Sequence, residues 1–264
     1  MTDVMLTAAV LGLVIGAVMG GLGAGGSVLT VPALIYLLGQ EPHTATTASL
    51  IVVGLTSSIS AVPHARRGMV RWRQGLLFGV LGSAGTLLGT RVAVGIDQHV
   101  LLLAFSGLIL VAAAAMVKQG PDAGGPSGPA GDGVGQGPAG GRAVRVVPAA
   151  VGLGTLTGIF GVGGGFATVP TLVLVLGNAM PQAVGTSLVV TAVNSASALA
   201  ARFGTPSELN WSIMVPFAVF AVLGALPSAW LIHRLPVRTL TRVFAALLVA
   251  VALGVGTAAV RSLG

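Results

Sequence analysis

Two stretches of nearly the same wording stand 138 residues apart, and they constrain this chain more than anything else in it. The first runs Gly23-Ala24-Gly25-Gly26-Ser27-Val28-Leu29-Thr30-Val31-Pro32-Ala33-Leu34. The second runs Gly161-Val162-Gly163-Gly164-Gly165-Phe166-Ala167-Thr168-Val169-Pro170-Thr171-Leu172. Both lie in apolar sequence, where each interior glycine weakens a helix by about 1 kcal/mol relative to alanine. A glycine run in such a setting marks a helix break. Two breaks at corresponding positions predict paired discontinuous membrane helices, where transporters hold their substrate.

The rest of the chain repeats too. At the same offset Gly39 matches Gly177, Ala45 matches Ala183, and Ser49-Leu50 matches Ser187-Leu188. After one inserted residue Trp72 matches Trp211, Gly85 matches Gly224 and Phe105 matches Phe244. Chance apolar similarity would not keep Gly, Ser, Pro and Trp in register together. Between the copies, residues 119–145 are almost wholly Gly, Pro, Ala and Ser, the composition of a flexible solvated linker. The chain therefore divides into a first transmembrane repeat (1–118), a linker (119–145) and a second repeat (146–264).

A soluble surface needs about a quarter of its residues charged, whereas only 7% are charged here and 54% are hydrophobic. Mean hydropathy is +0.97. The apolar runs do not alternate, which argues against a β-barrel. The expectation is an all-α polytopic membrane protein of two inverted repeats. Each repeat has a broken or re-entrant helix pair plus three transmembrane helices. In the first half the apolar units are 5–38 (broken at 20–27), 44–65, 72–95 and 98–118. In the second they are 147–177 (broken at 158–165), 182–203, 211–233 and 237–260. The pieces flanking each break are expected to be only about 11–16 residues long. The shorter ones would reach barely past the middle of a core roughly 30 Å thick. Two full crossings per broken region fit the same sidedness.

Loop charge orients the chain. Arg66, Arg67, Arg71 and Arg73 mark one loop as cytoplasmic, and Lys118, Arg142 and Arg145 do the same for the linker. In the second half the dense cluster (His233, Arg234, Arg238, Arg242) falls one loop later, as an inverted repeat requires. Both termini are expected outside. With only Asp3 ahead of the first apolar run, no cleaved signal peptide is expected. The net charge of +7 sits in loops without interleaved aromatics, which favours topology over nucleic acid. Having no cysteine, the chain can form neither disulfides nor thiol relays.

The start of a helix at each break exposes unpaired N–H groups and about half a positive charge. Glycine lets that backbone turn and approach a ligand, which makes a nest for an oxyanion. Close packing of helices is the competing use of small residues. The candidate substrate-binding residues are Gly23, Gly25, Gly26, Ser27, Thr30, Thr47, Ser49, Gly161, Gly163, Gly164, Gly165, Thr168, Thr186, Ser187 and Asn194, with Ser195 beside it. Their hydroxyls and amide can donate to an anion without burying a charge, though capping and back-bonding compete for them. His43 and His64 are candidate proton carriers, and their places near helix ends favour a solvated or interfacial setting. Arg91 either attracts anions along the pathway or snorkels to the surface. No carboxylate lies mid-helix, which speaks against a carboxylate relay or sodium cage.

The glycine phrase with Pro-x-Leu, followed by Ala-x-x-x-Ser-Leu, resembles the TauE/SafE family of sulfite and organosulfonate exporters. The likeness spans both halves and omits the linker. Gly161–Gly165 with Pro170 and Gly185-Thr186-Ser187 follow the pattern closely. The first half departs from it at Ser27 and at Thr47-Ala48-Ser49. The resemblance implies an inner-membrane permease for small sulfur-containing or related organic anions. A channel-like pore for sulfur oxyanions or small carboxylates is the alternative. A membrane enzyme lacks support from any metal cluster, activated nucleophile or cofactor motif. The expected partners are a small anion and the lipid bilayer, with no cofactor, no metal and no nucleic acid; homo-oligomerisation stays open.

Overall fold

The computed structural model describes residues 2–23, 27–93, 107, 110–111, 114, 147–155, 165–201, 209–231 and 236–261. All regular structure among them is helical. The first half contributes α1 (Thr2–Leu22), α2 (Ser27–Pro32) continued by a π-helical turn (Ala33–Leu37), α3 (Pro42–Arg66) and α4 (Trp72–Ala93). The second contributes α5 (147–155), α6 (Gly165–Leu174), α7 (Met180–Ala201), α8 (Trp211–Leu231) and α9 (Val237–Arg261). The linker and most of the fourth apolar unit of the first half lie outside the described residues.

Helix ends fall within about three residues of the expected ones, except at the start. Helix α1 has 21 residues rather than at most 16. At 1.5 Å per residue it is roughly 30 Å long, enough to cross a bilayer alone. The piece after the break, residues 27–37, is short as expected. The extra length is accompanied by packing, since α1 has a close neighbour from Gly12 to Gly20. Among the described residues, four helices have the length and apolar character of membrane spans: Val4–Leu22, Thr44–Arg66, Met180–Ala200 and Trp211–Leu231.

That neighbour is α8. Gly12, Gly16 and Gly20 of α1 lie against the carbonyls of Phe217, Ala221 and Ala225 in turn, so closely that a Cβ at any of them would strike backbone. Small residues every fourth position let two backbones meet, which replaces the hydrophobic driving force that lipid does not supply. Both series rise together, so α1 and α8 run parallel. Helices α4 and α5 meet in the same manner. Gly154 abuts the carbonyl of Gly82, and Gly85 abuts Val151 and Thr155.

Contacts between other elements also come in pairs under exchange of the halves. Helix α3 packs on α8 as α7 packs on α4, and α2 packs on α3 as α6 packs on α7. Helix α3 meets its own counterpart α7, and α2 meets α6. The core lies where these cross, with Phe78, Phe217 and Phe244 fully covered. The outer faces carry exposed Leu6, Val10, Leu77, Val80, Leu87, Phe220 and Leu253. A belt of that kind suits hydrocarbon. Exposed Trp72 and Trp211 sit at helix starts, the level where indole rings anchor to a membrane surface.

Candidate functional site

Helices α3 and α7 cross antiparallel. A Cβ on Gly54 would lie 3.1 Å from that of Ser195, and one on Gly185 would lie 3.2 Å from that of His64. In the repeat, Ser57 is the counterpart of Ser195, and Thr47 that of Gly185. The centre of the crossing therefore falls between Leu55 and Thr56 on one helix and between Val193 and Asn194 on the other. Both points are near the middle of their helices.

Polar side chains are concentrated at this centre, where lipid-facing logic would put leucine. Thr56, Ser57, Thr191, Asn194 and Ser195 are all buried, Thr56 completely. The hydroxyl oxygens of Thr56, Ser57, Thr191 and Ser195, and Oδ1 of Asn194, have no hydrogen-bond partner within the protein. Outside the crossing, Ser60, a turn further along α3, shares that condition, as does Thr30 on α2. An unmade buried hydrogen bond costs about 1–3 kcal/mol, and the dry interior of a membrane protein does not lower that cost. A group of them in one place makes this crossing the candidate surface for a polar ligand.

The break in the first half meets α7 about two turns before the crossing. Gly23 has φ +75°, and a Cβ there would lie 2.6 Å from Ser187 Oγ and 3.0 Å from the Val184 carbonyl. Only glycine gives both the left-handed turn and the close approach. Ser187, Thr191 and Ser195 recur every fourth residue with Asn194 beside them, so one face of α7 carries hydroxyls from the glycine break to the crossing.

The expected site residues divide into groups. Asn194 belongs to this polar centre. Gly23 meets Ser187 about two turns before it on α7, and Thr30 on α2 is completely buried with its hydroxyl unpartnered. Ser27, Thr47 and Thr168 are buried and already engaged by neighbours. Ser49 donates to the Thr46 carbonyl (2.8 Å) and Ser187 to that of Val184 (2.7 Å), which is the back-bonding expected to compete. Thr186 Oγ1 accepts the backbone N–H of Arg71 (3.1 Å), a structural tie between halves. Gly165 opens α6. Gly25, Gly26, Gly161, Gly163 and Gly164, and the side chains of His43 and Arg91, lie outside the described residues.

His64 differs from the expectation of a solvated or interfacial ring. It is 1% exposed, because the turn at 67–70 folds back over it and α7 closes on its flank at Gly185. Its Nδ1 lies 2.9 Å from the Ser60 carbonyl. The sequence reading also missed Thr56, Ser57, Ser60 and Thr191. Their signal was there, as the spacing Thr56, Ser60, His64 and the parallel spacing Ser187, Thr191, Ser195. It missed as well that Arg71 NH1 donates to Asn178 Oδ1 (3.0 Å) and Asn178 Nδ2 to Gln74 Oε1 (2.9 Å).

Comparison with known proteins agrees with this architecture. The family model for sulfite exporter TauE/SafE matches residues 8–255. A probable membrane transporter protein of Xylella fastidiosa (strain Temecula1) is 31% identical over 246 residues, covering 92% of this chain and 91% of its own length. Bacillus subtilis YunE, also a probable membrane transporter protein, is 27% identical over 238 residues, covering 84% and 83% respectively. No solved structure matches the chain. With helices of spanning length and a family match over nearly its whole length, this chain is an integral membrane protein and belongs to the TauE/SafE family of membrane transporters.

Proposed function

We propose that this chain carries small anions, sulfite or an organosulfonate foremost, across the bacterial inner membrane. The anion binds at the crossing of α3 and α7, about two turns of α7 from Gly23. The observation that carries this reading is the set of buried, unpartnered oxygens on Thr56, Ser57, Thr191, Asn194 and Ser195. Hydroxyls donate to an oxyanion without the cost of a buried charge, and a helix start such as that of α6 at Gly165 offers N–H groups and a dipole of the right sign. The family's name for its substrate class narrows the anion toward sulfur oxyanions.

We read the two halves as oppositely oriented, and helix direction supports that reading. Within the first half α3 and α4 are opposed, since α7 runs antiparallel to α3 and parallel to α4 (Gly75 against Val189, Gly79 against Val193). Helix α1 sides with α3, because Arg67 at the end of α3 meets Trp230 at the end of α8. Helix α8, the counterpart of α4, runs parallel to α1 and hence opposite to α4. Loop arginines then put the 66–73 loop and the linker in the cytoplasm and both termini outside. Two opposed halves that meet at one site support a carrier that exposes that site alternately to each side.

The test is thermal unfolding of the purified protein with sulfite, sulfate, thiosulfate, sulfoacetate, taurine and small carboxylates. A ligand of the native state raises stability by mass action. A shift with sulfite or a sulfonate, lost in Thr56→Val, is the expected result. No shift with any of these anions would remove the reading.

A further inference from the structure

We propose that Thr56, Ser60 and His64 form a proton path along α3, present in one half only, which couples one proton to each anion carried. The inference rests on the carrier reading above and assigns its driving ion. The three residues stand four apart, so their side chains follow one another down one face of the helix. Thr56 and Ser60 are fully buried and their hydroxyl oxygens have no partner in the protein. His64, 1% exposed, ends the line with Nδ1 2.9 Å from the carbonyl of Ser60.

The upper end of the line is Thr56, at the anion site. The lower end is covered by the turn in which Met69 N–H donates to the His64 carbonyl (3.0 Å), beneath the cytoplasmic arginines. In this state no hydrogen bond joins one hydroxyl of the line to the next. A proton passes when the site opens in the transport cycle and water links them, each hydroxyl accepting and donating at once and ending as it began. His64 takes a proton on one side of the cycle and releases it on the other, with no net change in the protein.

The repeat supplies the argument for direction. The counterparts of Thr56, Ser60 and His64 in α7 are Asn194, Ala198 and Arg202. The polar line thus continues past the crossing toward the cytoplasm and stops at an alanine on the other side. An anion site needs polar groups at the centre alone; it does not need this one-sided extension.

Few charged groups face the ring. On its own helix and turn these are Arg66 and Arg67, the latter bonded to the Trp230 carbonyl at 3.4 Å. Arg71 follows, tied to Asn178, and Arg73 is exposed. Helices α2, α7 and α8 carry no titratable side chain, and α1 carries only Asp3 at its far end.

The test uses the full chain in liposomes that enclose a pH-sensitive dye, with thiosulfate or ethanesulfonate as the probe. Neither probe changes charge near neutral pH, so any proton signal comes from the protein. Wild type should show anion counterflow and, under an anion gradient, proton movement of matching rate. His64→Gln should keep counterflow and lose proton movement, and Ser60→Ala should slow proton movement several-fold with counterflow kept. If His64→Gln loses both activities, Ser60→Ala decides: unchanged proton movement there overturns the path. Wild-type counterflow without proton movement, or proton movement intact in His64→Gln, also overturns it and leaves the carrier reading standing. No counterflow with either probe or with sulfite overturns the carrier reading, and the path falls with it.

Discussion

Replacing Thr56 by valine keeps the shape of the side chain and removes the one atom that distinguishes a binding group from a packing group. Thr56 is completely buried and its Oγ1 has no partner in the fold. An unsatisfied buried hydroxyl costs about 1–3 kcal/mol, and threonine and valine differ little in helix preference. The protein without anion should therefore gain stability in Thr56→Val, and likewise in Thr191→Val. For a domain of a few hundred residues, each kcal/mol corresponds to roughly 2–4 °C in unfolding temperature. Thr155→Val is the control, because its hydroxyl donates to the Val151 carbonyl at 2.9 Å and its loss should leave stability unchanged or lower. The assay is thermal unfolding in detergent at a fixed scan rate, with and without sulfite. Raised stability in the absence of anion together with a lost anion-dependent shift is the expected pair of results. A fall in stability in both Thr56→Val and Thr191→Val would show that these hydroxyls hold the fold together, and would refute the reasoning.

Gly23→Ala should cost about 2–5 kcal/mol, the sum of a left-handed backbone penalty and an overpacked contact with Ser187 and Val184. Gly39→Ala and Gly177→Ala, at φ +61° and +64° with nothing within 4 Å, should cost only the backbone part, about 1–2 kcal/mol. Equal unfolding temperatures for all three would contradict the close approach at the break. Gly16→Leu should leave almost no folded protein in the membrane, since its side chain would enter the Ala221 backbone, whereas Gly254→Leu, with open space, should accumulate normally on a membrane-fraction blot. Reporter fusions should place both termini outside and the 119–145 linker inside; an outside linker would undo the opposed arrangement of the halves.

Much of the fold can be read in the sequence because its two strongest signals are local. Apolar length fixes the helices, and repeated wording around Gly23 and Gly161 fixes their correspondence. Gly23 and Thr30 were legible through the glycine phrase, and Asn194 through an amide set in an apolar helix. Thr56, Ser57 and Thr191 become site residues through the crossing of α3 with α7, and nothing in either segment alone states that the two meet. Burial of His64 was hidden for a similar reason, since a position one turn from a helix end says nothing about a loop that folds back. The glycines at 12, 16 and 20 carried a packing signal in their spacing, overshadowed by the louder run at 23–26.

The glycine-lined pairs also set a timetable for synthesis. Helix α1 leaves the ribosome first, yet the surface it was built to meet, on α8, is made about 200 residues later. At about 5–20 residues per second, that leaves α1 roughly 10–40 s in the bilayer with its glycine face against lipid. The second half cannot finish without it, and α4 waits in turn for α5 across the linker. Each half is thus the folding template of the other. The two should assemble when made as separate chains in one cell, and neither should accumulate when made alone.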